Sequence, residues 1–168
     1  MRRGMMARMT SLTIDLTYPG ATVDRVAAML ADPAFREEVA ARQHVLSTTV
    51  TVTPDGAGMV VVQDNVHATE GVPGFARKIV GDSTTIHSVE RWSSPSEGHL
   101  EITIPGKPGI LQGPIRLTQD GDTVVEHVDL AITVNIPLVG GKIAGVLEGL
   151  IGKALRRENE VGRDWLAR

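Results

Sequence analysis

A chain of 168 residues with net charge −3, 42% hydrophobic and 3% aromatic residues suits one domain with a sizeable core. The absence of cysteine excludes disulfides and thiolate metal sites and fits a reducing, cytoplasmic setting. The small net charge, without acidic or basic blocks, and the scarcity of aromatic side chains argue against nucleic acid as a partner.

Residues 1–9 carry four methionines and three arginines, with no apolar run behind them. That excludes a signal-peptide core and predicts a disordered tail in which Met5, Met6 and Met9 are alternative starts. Residues 10–168 are then a single domain. Ser11 to Tyr18 alternates polar and apolar residues, the period of a strand. After Pro19-Gly20, Thr22 is placed to cap a helix through Val26, Met29 and Leu30. Asp32-Pro33 opens a second helix that ends near Arg42.

Six further strands follow, at about His44–Thr53, Met59–His67, Thr84–Trp92, His99–Ile104, Ile110–Gln119 and Thr123–Val134. They are separated by breaks rich in glycine, proline and aspartate. The segment from Glu70 to Val80 is irregular, with one helical turn at Gly74–Ile79. The chain closes with a long amphipathic helix from about Asn135. An antiparallel sheet wrapped around that helix, with a gap between them, is the economical arrangement.

In the closing helix, Val139, Ile143, Val146, Leu147, Leu150, Ile151, Ala154, Val161 and Trp165 recur at helical spacing and predict the buried arc. Core packing alone would explain it; so would the wall of a cavity. Gly141, Gly145, Gly149 and Gly152 are expected on the opposite arc. Each costs up to about 1 kcal/mol relative to alanine, so close approach of another backbone, or a bend, is expected in compensation. Their spacing also leaves open a homodimer seam. Lys142, Glu148 and Lys153 interrupt the apolar run, so no integral membrane segment is expected.

On the last strand, Val124, Glu126, Val128, Leu130, Ile132 and Val134 share the better inward face. Glu126 is therefore either a buried carboxylate at a cavity, orienting a ligand or moving a proton, or a surface group beside the turn at Asp120–Asp122. His44, His67, His87, His99 and His127 lack metal-ligand spacing, so neither metal nor cofactor is expected. His67 with Glu70, and His87 with Glu90, are the pairs that could meet in space. No nucleophile elbow or phosphate loop is present. Phe75, between Pro73-Gly74 and Arg77-Lys78, marks either a gate at a pocket mouth or a loop anchored in the core.

The order strand, two helices, six strands, long helix resembles the START-like, SRPBCC (polyketide cyclase-type) helix-grip superfamily over about residues 10–167. The segments Ile136-Pro-Leu-Val-Gly-Gly-Lys142 and Glu158-Asn-Glu-Val-Gly-Arg-Asp-Trp165 resemble a bacterial family of unknown function within it. The resemblance implies an α+β fold, with a curved antiparallel seven-stranded sheet around the C-terminal helix and a cavity between them for lipids, sterols, polyketides or other apolar molecules. It carries over no catalytic residue. The expected function is binding of a hydrophobic or amphipathic small molecule, as carrier or sensor, lined by Phe75, Glu126, Val128, Leu130, Ile143, Leu147, Leu150 and Ile151. The alternatives are a cyclase or dehydratase using Glu126, and a protein-interaction domain whose cavity is filled.

Overall fold

The structure, a computed structural model, describes residues 10–168; the expected N-terminal tail lies outside them. The elements are β1 (Thr10–Pro19), α1 (Val23–Leu30), α2 (Pro33–Arg42), β2 (Ser47–Asp55), β3 (Gly58–Ala68), α3 (Gly74–Val80), β4 (Ser83–Trp92), β5 (Glu97–Thr103), β6 (Ile110–Asp120), β7 (Thr123–Thr133) and α4 (Gly140–Leu166). All seven strands form one antiparallel sheet in the order β1-β7-β6-β5-β4-β3-β2. The α+β helix-grip architecture expected from the sequence is the one observed.

Local chemistry explains the element ends. Thr22 Oγ1 accepts the Arg25 amide at 3.3 Å and Asp32 Oδ1 accepts the Ala34 amide at 2.9 Å, so each short helix has a side-chain cap. The second strand begins at Ser47 and not at His44, because His44 takes φ 56° and turns the chain out of α2. The closing helix begins at Gly140 and not near Asn135. A Cβ at Gly140 would lie 2.5 Å from the Val134 carbonyl oxygen, so a glycine is needed where the helix leaves the sheet.

Helix α4 is 27 residues long, about 40 Å at 1.5 Å per residue. It packs against β1, α2 and α1, more sparsely against β7, and makes at most marginal contact with β2–β6. Two side chains fix it to the edge strand: Asn159 Nδ2 and Arg163 Nε both donate to the Thr17 carbonyl at 2.9 Å. That contact occupies part of an otherwise open sheet edge. The core is formed by the inward faces of β1, β5, β6 and β7 together with α1, α2 and α4, and extends to Met59 and Val61 of β3 and Trp92 of β4.

The buried arc of α4 differs from the expected one. It runs through Gly140, Ala144, Ile151, Gly152, Asn159, Val161 and Gly162. Leu150, expected on the buried side, is 45% exposed; six positions on from Ala144, it lies about 120° around the helix. Gly152 is not on the exposed arc but faces Leu12 at 3.6 Å. Gly141, Gly145 and Gly149 have nothing within 4 Å of a notional Cβ, so the close backbone approach expected to compensate them does not occur among the described residues. Apolar periodicity misplaced the arc because three glycines and an asparagine are part of the packed face.

Candidate ligand-binding site

The concave face of the sheet is built by alternate residues brought into line by strand register. Glu90 stands opposite Val61 and Leu100, Gln63 opposite Ser88, and Asn65 opposite Ile86. On the other half, Glu126 stands opposite Leu16 and Leu117. The inward residues of β5–β7 are closed into the core, but Ile14, Val50, Ile86 and Leu147 keep partial exposure. On the β2–β4 half, Val61, Gln63 and Glu90 are buried as well, and α4 makes at most marginal contact with these strands.

Under the C-terminal half of α4 the same face is polar. Arg36 of α2 is buried and donates from Nη1 and Nη2 to both carboxylate oxygens of Glu90, at 2.5 and 3.1 Å, and from Nε to the Leu30 carbonyl at 2.9 Å. Trp92 Nε1 donates to Glu90 Oε1 at 3.0 Å. Glu158 of α4 stands 3.9 Å from Arg36 Nη1, beyond hydrogen-bond distance. Burial works against the Arg36 charge, but Glu90 and Glu158 hold the guanidinium above its ordinary basicity.

Glu126 is 4% exposed and makes no hydrogen bond to any described residue. Burial, then Glu158 and Glu90, push its carboxyl well above the ordinary carboxylate range, with Arg36 opposing. Burial likewise raises Glu158 to about 7, with Arg36 opposing and Glu90 adding to the rise. Beside them, Tyr18 is wholly buried and its Oη has no hydrogen-bond partner. Asn159 lies close, but its amide is turned to Thr17. Tyr18 and Glu126 are diagonal neighbours on paired strands, since Tyr18 pairs with Val124. Tyr18 Oη is the one described side-chain atom both sealed and unpartnered.

The remaining expectations fare unevenly. Glu126 is buried, not a surface group at the turn. Val128 and Leu130 are so fully packed that they offer a ligand no surface in this structure. Ile143 and Leu147 keep partial exposure, whereas Ile151 is buried in the core. Phe75 is 39% exposed on α3, whose buried residue is Ala76, so Phe75 does not anchor the loop in the core. His87 does not meet Glu90: its Nδ1 bonds Asp64 at 2.7 Å on the convex face, whereas Glu90 faces inward to Arg36. Arg36, Glu158 and Tyr18 were missed. Only a charged residue in the short α2 and the Glu158-Asn159 pair within a buried arc hinted at them.

A second concavity of about 380 Å³ opens between the α1–α2 corner and the sheet end, lined by Leu30, Pro33, Val52, Met59 and Trp92 among others. Among the described residues no group of three or more histidines or acids is placed to hold a metal ion. No described helix is long and apolar enough to cross a membrane.

The family described as protein of unknown function (DUF2505) matches residues 13–166. No curated protein matches the chain. Among solved structures, TTHA0849 from Thermus thermophilus is similar over 92% of this chain and 95% of that one, with a TM-score of 0.64 at 15% identity. The di-domain ARO/CYC StfQ from the steffimycin biosynthetic pathway is similar over 92% of this chain and 50% of its own, with a TM-score of 0.63 at 12% identity. A START superfamily protein from Mycobacterium smegmatis covers 90% and 97%, with a TM-score of 0.52 at 14% identity. At these identities the likeness concerns the fold, which is START-like.

Proposed function

Because the chain belongs to the DUF2505 family, whose description names no activity, we propose its function from the site itself: it binds an apolar or amphipathic small molecule between α4 and the sheet, as a cytoplasmic carrier or sensor. The observation that carries this reading is partly exposed apolar surface at Val50 and Ile86 on the inner face of β2 and β4 and at Ile143 and Leu147 on α4, which makes at most marginal contact with those strands. Apolar surface left accessible inside a fold is stabilised by a ligand that covers it, at about 25 cal/mol per Å² removed from water. Phe75, exposed on the short α3, is placed to act at the rim. Ile151 completes the wall, and Glu126 supplies a polar contact at the inner end.

Native mass spectrometry of gently purified protein, with titration of a neutral fluorescent naphthylamine probe, tests the reading. A co-purified apolar species or saturable probe binding supports it; absence of both overturns it. A second reading, a cyclase- or dehydratase-type enzyme, is favoured by one feature: Glu126 is a buried carboxyl pushed well above the ordinary carboxylate range, diagonal to Tyr18 on the paired strand. Glu126→Gln separates the two. A carrier keeps its apolar ligand, whereas an acid–base enzyme keeps binding and loses turnover.

A further inference from the structure

The polar end of the site has more carboxylates than cations. Glu90, Glu126 and Glu158 influence one another electrostatically, and Arg36 is the cation among them. It donates two hydrogen bonds to Glu90 and one to the Leu30 carbonyl. That leaves Glu126 without a partner and Glu158 at 3.9 Å from the guanidinium. Tyr18 Oη, sealed and unpartnered, faces the same carboxylates. A buried polar group without a partner costs stability unless a ligand supplies one. A partner that donates hydrogen bonds and carries positive charge suits this end, because its carboxyl groups outnumber its cations. A metal ion does not fit, since the acids do not converge on one point.

Resting on the binding function proposed above, we infer that the ligand is a cationic amphiphile: an apolar body along Ile143 and Leu147, and a protonated amine seated against Glu126 and Glu158 beside Tyr18. Burial, and then Glu158 and Glu90, disfavour the charge of the Glu126 carboxyl, and Arg36 only partly offsets them. Tyr18, on β1, faces that carboxyl in the neutral form. When an ammonium group arrives, the carboxyl ionises and its proton leaves to solvent, so binding releases a proton and strengthens as pH rises.

The test compares dodecylamine, dodecanol and dodecanoic acid by displacement of the neutral naphthylamine probe. It is followed by calorimetry in phosphate and in Tris, whose ionisation heats differ. The amine is expected to bind about tenfold tighter than the alcohol, with proton release seen for the amine alone. Glu126→Gln should bring amine and alcohol to equal affinity while alcohol binding persists. Glu158→Gln should narrow the gap. Equal affinities in the unaltered protein, preference for the acid, or an amine preference that survives Glu126→Gln would overturn the inference and leave the apolar-binding function standing. If none of the three compounds binds, both fall.

Discussion

Arg36 and Glu90, 54 positions apart, meet inside the molecule as a bidentate ion pair between α2 and the concave face of β4. The pair ties the helical corner to the inner face of β4. It also engages the guanidinium near three carboxylates, so Arg36 only partly offsets the burial that raises Glu126 and Glu158.

Removing one member of a buried pair leaves the other charged and desolvated. Arg36→Met is expected to cost about 3–5 kcal/mol, read as a lower midpoint in urea denaturation. Adding Glu90→Leu should recover most of that loss. A double variant as unstable as the sum of the singles would show that the two residues are not a coupled unit.

Stability should fall as pH rises through neutrality. Glu158 is raised to about 7 from 4.5, so the fold binds this proton more tightly than the unfolded chain. The resulting stabilisation is complete below the unfolded value and is lost as pH climbs through about 7. Glu126 shifts in the same direction. The expected loss between about pH 5 and pH 8 is on the order of 2–3 kcal/mol. Glu126→Gln and Glu158→Gln should each flatten the profile of melting temperature against pH; an unchanged slope in both counts against it.

The helix glycines fall into two classes with opposite expected behaviour. A Cβ at Gly162 would meet Tyr18 Cε1 at 2.8 Å and Met29 Cε at 3.0 Å. Gly162→Ala should therefore cost about 1–3 kcal/mol through overpacking. At Gly145 and Gly149 open space surrounds the site, and alanine should add up to about 1 kcal/mol each through helix propensity. Thermal melts decide both. Light scattering adds a separate readout: a dimer of the unaltered protein that dissociates in the Gly145→Ala/Gly149→Ala variant would identify this stripe as a self-association seam.

Filling the proposed site should compete with ligand. Leu147→Trp enlarges a half-buried side chain between α4 and the sheet. Probe affinity is expected to drop about tenfold or more, with little change in melting temperature. Unchanged affinity would move the binding site elsewhere, the cleft beside Trp92 being the next place to look.

The sequence by itself determined the element order, because alternation, capping residues and glycine–proline breaks are local signals. It also indicated the inward face of β7 through Val124, Val128, Leu130 and Ile132, but left Glu126 either buried on that face or exposed beside the turn at Asp120–Asp122; the structure buries it. The sequence could not place the buried arc of α4. The packed face there includes Gly152, Asn159 and Gly162, where close approach to Tyr18 and a hydrogen bond to β1, not hydrophobicity, select the residue. Nor could it find the polar cluster: Arg36, Glu90, Glu126 and Glu158 come from four elements, and only strand register and the seat of α2 bring them together. Long-range electrostatics of this kind has no local signature. The composition indicated a greasy interior; the tertiary structure alone decided that its inner end carries uncompensated carboxylates.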